Sequence, residues 1–159
     1  MINPVRNLKE TTNRHGVSNR VNIAVINLQE KALVYPKAIK KLVKRVLKEE
    51  RIKAGAEITV SIVNDRIIRK LNMLYLKKDL PTDVLAFNST ETFDKNNLYA
   101  DIIVSSDTAA YNAKVFNTTF NFELKLYVIH GLLHLLGYNH SSAKKRKTML
   151  RKELKYVHT

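Results

Sequence analysis

The chain reads as an α+β fold: a short mixed four-stranded sheet packed against helices, with a central buried helix that carries histidines at metal-ligand spacing. Three observations predict it. Short alternating runs and longer 3.6-period runs follow in the order strand, helix, strand, helix, strand, strand and then three helices, with no internal repeat or linker. The segment from Leu124 to Leu136 is apolar nearly all round, with Lys125 its only formally charged residue, so its helix must be buried on most sides. At 159 residues the chain has the size of one domain, able to bury roughly two thirds of its unfolded surface without disulfides or a structural metal.

Residues 1–20 are polar and aperiodic, with Pro4, Gly16 and several asparagines, and they lack the apolar core of a secretory signal. They read as a basic flexible extension to a single domain at 21–159, with an organelle transit peptide as the lesser alternative. Val21 to Ile26 is β-branched and alternates, as a strand does. Pro36 opens a helix whose Ile39, Leu42, Val43, Val46 and Leu47 form one core-facing stripe. After Gly55, the alternation from Ile58 to Val63 predicts a second strand. It runs into a helix capped by Asn64 or Asp65, with Ile67, Ile68, Leu71, Leu74 and Tyr75 as the expected buried side. Pro81 stops that pattern, Asp83 to Phe87 reads as a third strand, residues 88–98 as a polar loop and Tyr99 to Val104 as a fourth strand. Ser105, Ser106 and Asp107 suit the cap of the next helix. The last helix, from Ser141 or Ser142, presents Leu150, Leu154 and Val157 as its expected core side and Lys144, Lys145, Arg146 and Lys147 as a basic patch near the histidines.

Net charge is +14 with no cysteine, which excludes thiolate ligands and a disulfide framework and fits a reducing compartment. No run of about 20 apolar residues occurs. The basic excess is confined to three stretches: residues 1–20 hold four Lys/Arg against Glu10, residues 36–53 hold eight against Glu49 and Glu50, and residues 141–159 hold seven against Glu153. Such clustering points to a polyanionic partner. Nucleic acid fits better than a membrane, because neither basic helix has the aromatic apolar face of an interfacial anchor.

The chemistry is written between His130 and His140. Histidines four apart project from one face of a helix, so His130 and His134 can share an ion. Gly137 can end that helix in the left-handed conformation and return the chain so that His140 reaches the same ion. Three imidazoles with a fourth position open describe a catalytic zinc rather than a closed structural site. The His-x3-His-x2-Gly-x2-His spacing also matches metzincin proteases, which carry Glu after the first histidine. Gly131 stands there instead, so the helix offers no carboxylate base for peptide hydrolysis.

The residues Leu71-Asn72-x-x-Tyr75-x-x-x-Asp79-x-Pro81-Thr82-Asp83-Val84-Leu85-x-Phe87, then Asp101-Ile102, then His130-Gly131-x-Leu133-His134-Leu135-x-Gly137-Tyr138-x-His140 resemble the YbeY family over about residues 21–157. That resemblance implies a single-domain, zinc-dependent, single-strand-preferring endoribonuclease, acting in 16S ribosomal RNA 3′-end maturation and ribosome quality control. It implies His130, His134 and His140 as the zinc ligands and ribosomal RNA and the small ribosomal subunit as partners; the histidine spacing gives one Zn2+ per chain, and the expected location is cytoplasmic, with an organelle as the lesser alternative.

The pattern departs from the family at Leu76, where an arginine that contacts phosphate is usual, and at Ala86, Asn88 and Ala100, where Ser, Pro and Gly are usual. It departs again at Asn139, where the family's aspartate would accept the second N–H of a ligand histidine. Lys77, with Lys78 beside it, is the candidate to replace the missing arginine in catalysis, and Lys77, Lys78 and Lys144 to Lys147 are the candidate RNA contacts. A non-catalytic, zinc-stabilised RNA-binding or ribosome-assembly factor is the rival reading that Leu76 and Asn139 leave open.

Overall fold

The computed structural model describes residues 20–52, 55–89 and 98–158. The expected N-terminal extension, apart from Arg20, and residues 90–97 of the expected loop lie outside them. The elements follow the order read from the sequence: β1 (Asn22–Asn27), α1 (Pro36–Glu49), β2 (Ala56–Val63), α2 (Asp65–Leu76), β3 (Val84–Asn88), β4 (Leu98–Ser105), α3 (Ser106–Val115), α4 (Phe120–Leu135) and α5 (Ala143–Val157). The strands form one mixed sheet in the order β1-β2-β4-β3, in which β1, β2 and β4 are parallel and β3 pairs antiparallel to β4 at the edge.

Strand residues alternate between faces, and here both faces are used. Ile58, Val60 and Ile62 of β2 and Ala100, Ile102 and Val104 of β4 join the main core with the apolar residues of α1, α4 and α5. Ile103 of β4 and Leu85 of β3 point the other way and pack with Val63 and with Ile68 and Leu71 of α2. Helices α4 and α2 therefore lie on opposite sides of the sheet, and α4, buried at Leu124, Val128, Ile129, Leu132 and Leu133, is the spine of the larger core.

The caps resolve alternatives left open by the sequence. Asn64 Oδ1 accepts from Ile67 N at 3.0 Å, and Ser142 Oγ accepts from Lys145 N at 3.2 Å, so these two residues start α2 and α5. Ser105 and Thr119 cap α3 and α4 in the same way. Each such cap is worth about 1 kcal/mol against alanine.

Two expected core assignments are corrected. Leu74 and Tyr75, placed on the buried side of α2, are 52% and 41% exposed: Ile103 and Leu85 pack with the earlier turns of that helix, while its last turn reaches the edge strand through Tyr75, whose ring lies 4.8 Å from that of Phe87. Leu150 and Leu154, placed on the core side of α5, are also exposed; the buried face consists of Met149, Glu153, Tyr156 and Val157.

Candidate metal centre

Helix α4 ends in a turn that converts sequence spacing into a cluster. Gly137 has φ +92, Gly137 N donates to His134 O at 3.0 Å, and Tyr138 N donates to Leu133 O at 3.0 Å. This pair of bonds is the Schellman termination, and glycine suits its left-handed position because it lacks a Cβ. The chain reverses there and brings His140 over His130, with ring centroids 5.2 Å apart and planes 21° from parallel. His134 completes the group, its ring centroid 4.6 Å from that of His130 and 5.1 Å from that of His140.

One nitrogen from each ring lies within 4.8 Å of the others. The Nε2 atoms of His130 and His134 are 3.1 Å apart. Two nitrogens on a tetrahedral ion with metal–nitrogen bonds of about 2.0–2.1 Å stand about 3.3 Å apart, so the cluster fits a divalent transition metal. Imidazole must be neutral to ligate, and His134 is biased that way: partial desolvation and then the adjacent His130 and His140 rings push its pKa below the usual 6.5.

The cluster has a carboxylate behind it. Nδ1 of His130 lies 2.6 Å from Oε1 of Glu153, a buried residue of α5. With its proton on Nδ1, His130 presents the lone pair of Nε2 to the cluster. Asn139, the residue expected to support a ligand histidine, instead accepts from Ser141 N at 3.0 Å and Ser141 Oγ at 2.6 Å. It shapes the turn between His140 and α5.

The turn is also tied to α1. Tyr138 OH donates to Glu50 Oε2 at 2.7 Å, and Lys152 Nζ lies 2.6 Å from Glu50 Oε1, which also accepts from Tyr156 OH. Burial alone would raise the Glu50 pKa, but the hydrogen bonds from Lys152, Tyr156 and Tyr138 outweigh it and hold the carboxyl below 4.5. Glu50 is thus a charged anchor for the residue two before His140.

Gly131 is explained by the sheet rather than by the metal. A Cβ there would stand 3.0 Å from Val84 Cγ2, 3.1 Å from Ile102 Cγ2 and 3.4 Å from Ala86 Cβ. The side of α4 at Gly131 is pressed onto β3 and β4, so a glutamate at this position has no room and the helix carries no protease base.

A model of the family described as endoribonuclease YbeY matches residues 23–159. The chain belongs to the YbeY endoribonuclease family. An endoribonuclease YbeY of Aquifex aeolicus is 35% identical over 129 residues, spanning 74% of this chain and 86% of that protein. One of Bacillus licheniformis is 37% identical over 124 residues, spanning 72% of this chain and 78% of that protein. The solution structure of a Thermotoga maritima protein superposes with a TM-score of 0.62 at 34% identity, over 86% of this chain and 87% of the other.

The remaining motif residues of this YbeY-family chain fall on both sides of the sheet. Ile102 lies under Gly131, while its neighbour Asp101 occupies the opposite face, where burial raises its pKa against the lowering effect of its bond with Thr59. Leu76, Lys77 and Lys78 are exposed at the end of α2, in the layer across the sheet from α4. Lys144, Lys145, Arg146 and Lys147 are exposed on the first turns of α5, four to seven residues after His140. Sequence reasoning overlooked Glu153 and Glu50. In the sequence both stand as minority acids in basic segments, although an acid on the buried face of a helix, as Glu153 is, is rare unless it is paired.

Proposed function

We propose that this protein is a zinc-dependent endoribonuclease that cuts single-stranded RNA, with ribosomal RNA at the 3′ end of the 16S species as substrate, in ribosome maturation and quality control. The observation that carries the reading is the three-histidine cluster, set in a chain of an endoribonuclease family and backed by Glu153. Residues 21–159 form the catalytic domain in this reading, and residues 1–20 a basic extension that adds contacts to the small ribosomal subunit or its RNA. The location that goes with this reading is the cytoplasm, with an organelle as the lesser alternative.

His130, His134 and His140 would hold one Zn2+; an all-nitrogen set without thiolate suits it among the common divalent metals. When bound, zinc supplies Lewis acidity, toward a phosphoryl oxygen or toward a water that it acidifies. The protein does the rest. Glu153 holds His130 in one tautomer, Glu50 and Tyr138 hold the turn that carries His140, and Lys144 to Lys147 supply positive charge beside it. The nucleophile is water or the adjacent ribose 2′-hydroxyl, and the ends of the product distinguish them: a 2′,3′-cyclic phosphate requires the hydroxyl.

One observation favours a second reading. Leu76 is a neutral, half-exposed side chain at the position where the family pattern has arginine, which suits a zinc-stabilised RNA-binding factor without catalysis. Incubating zinc-loaded protein with labelled single-stranded RNA, with and without chelator, separates the two. Cleavage abolished by chelator and by His134→Ala supports the nuclease; binding without cleavage supports the assembly factor. Elemental analysis should give one zinc per chain, and none in His134→Ala.

A further inference from the structure

We propose that the outer face of α1 is a second RNA-binding surface, a lysine ridge that grips the phosphate backbone of a single strand away from the histidine centre. The inference rests on the nuclease reading and adds where that substrate is held. Lys37, Lys40, Lys41, Lys44 and Lys48 are all exposed and recur at helical spacing, so they occupy one face of α1, opposite the buried stripe of Ile39, Leu42, Val43, Val46 and Leu47. At 1.5 Å per residue the row is about 16 Å long, with a positive charge at every turn.

The row works against the helix that bears it. Among the described residues none of the five has an ion pair: Glu49 is taken by Arg45 and Lys155, and Glu50 by Lys152. Like charges four apart, as at Lys37 and Lys41, Lys40 and Lys44, and Lys44 and Lys48, oppose helix formation, and Lys37 in the first turn opposes the helix dipole. A polyanion laid along the row relieves both.

Arg51 extends the ridge at a backbone cost. It has φ 60, and the bonds Arg51 N to Lys48 O at 3.1 Å and Ile52 N to Leu47 O at 2.9 Å make it the left-handed residue of a Schellman turn, the position glycine normally fills. With Lys44 and Lys48 it lines a cleft of about 590 Å3 whose other lining residues are Val21, Leu47 and Ile52. Three cations around one cleft suit the phosphate groups of a bound strand. The apolar residues of α1 face the core, so the helix has nothing to insert into a membrane.

The test compares wild type with Lys40→Ala/Lys44→Ala/Lys48→Ala and with a control of equal charge, Arg66→Ala/Lys70→Ala/Lys114→Ala, all zinc-loaded. Affinity for a labelled single-stranded RNA of about 20 nucleotides should fall at least about tenfold in the ridge variant, and the log-log salt slope should become shallower by about 2, at roughly 0.7 per lost phosphate contact. The control variant should stay close to wild type. Cleavage at saturating RNA should be unchanged in the ridge variant, which leaves the histidine cluster intact. Equal losses in ridge and control variants, or an unchanged slope in the ridge variant, overturn the proposal. So does binding of the ridge to anionic vesicles in preference to RNA. Wild-type protein that binds the RNA through the ridge but never cuts it overturns the nuclease reading and supports this surface; wild-type protein that binds no RNA overturns both.

Discussion

Oε1 of Glu153 lies 2.6 Å from Nδ1 of His130, so a carboxylate on α5 sets which nitrogen of a histidine on α4 faces the cluster. The side chain of Glu153 is only 10% exposed, and a buried acid of this kind persists when it is paired. The contact makes α5 part of the metal centre although it contributes no ligand.

Replacing Glu153 should therefore weaken the metal without removing a donor. Glu153→Ala should lower zinc affinity about 10- to 100-fold, the usual effect of losing the acceptor behind a ligating histidine. Glu153→Gln should lie between, since an amide oxygen accepts the same proton without charge. A competition titration against a chromophoric chelator reads both. Asn139→Asp should change affinity much less, because that oxygen is occupied by Ser141; a larger effect at Asn139 than at Glu153 would reverse this assignment.

Gly131 should resist substitution for a reason unrelated to the metal. Alanine gains about 1 kcal/mol of helix propensity, but its Cβ would press on Val84 and on the fully buried Ile102. Overpacking of a dense core costs about 1–3 kcal/mol, so Gly131→Ala should be net destabilising by about 1 kcal/mol in urea denaturation. Gly131→Glu should fail to fold and should give no protease. A stable Gly131→Ala with unchanged midpoint would mean that β3 yields at Val84.

The same residues show what was legible in the sequence. The stripe of α1 was read correctly because all five buried positions are aliphatic and their neighbours are lysines. In α5 the period was legible and the phase was not. Its buried face carries Glu153 and Tyr156, which are there to bond His130 and Glu50, so hydropathy pointed to the adjacent face of Leu150 and Leu154. The histidine cluster was legible because its geometry is local: one helix turn and one glycine reversal. Glu50 was not, because it meets Tyr138 across 88 residues.

Glu50 should give the protein an acid-sensitive anchor. Its carboxyl titrates below the ordinary 4.5, so the stabilisation it provides is complete above that pH and is lost as pH falls through the lower, folded-state value. Denaturant unfolding of the wild type should weaken as pH falls below about 4.5, more steeply than in Glu50→Gln. At neutral pH Glu50→Ala should cost about 2–4 kcal/mol, since it strands Lys152 and two tyrosine hydroxyls. Zinc affinity should fall with it, because Tyr138 loses the acceptor that fixes the turn. Parallel pH profiles for wild type and Glu50→Gln would remove Glu50 from this role.

Lys77 allows stability and catalysis to be separated at one position. It follows the last residue of α2 with φ 59, and its N–H reaches Met73 O at 3.2 Å, so a lysine occupies a left-handed position that glycine fills more cheaply. Lys77→Gly should therefore stabilise the protein by about 1 kcal/mol. If the lysine serves only the fold, cleavage should be unchanged or improved. If it supplies the charge that Leu76 lacks, the more stable variant should cut RNA more slowly, by about 10- to 100-fold for a flexible point charge near the phosphate. Leu76→Arg provides the converse: a half-exposed leucine can be replaced with little effect on the core, and a rigid bidentate fork at that point should accelerate cleavage. Single-turnover assays on folded, zinc-loaded Lys77→Gly and Leu76→Arg decide between the two readings. A faster Leu76→Arg with a slower Lys77→Gly assigns the end of α2 to the scissile phosphate. Two variants that cut like wild type confine catalysis to the histidine side of the sheet and leave Leu76 and Lys77 as the surface end of a helix.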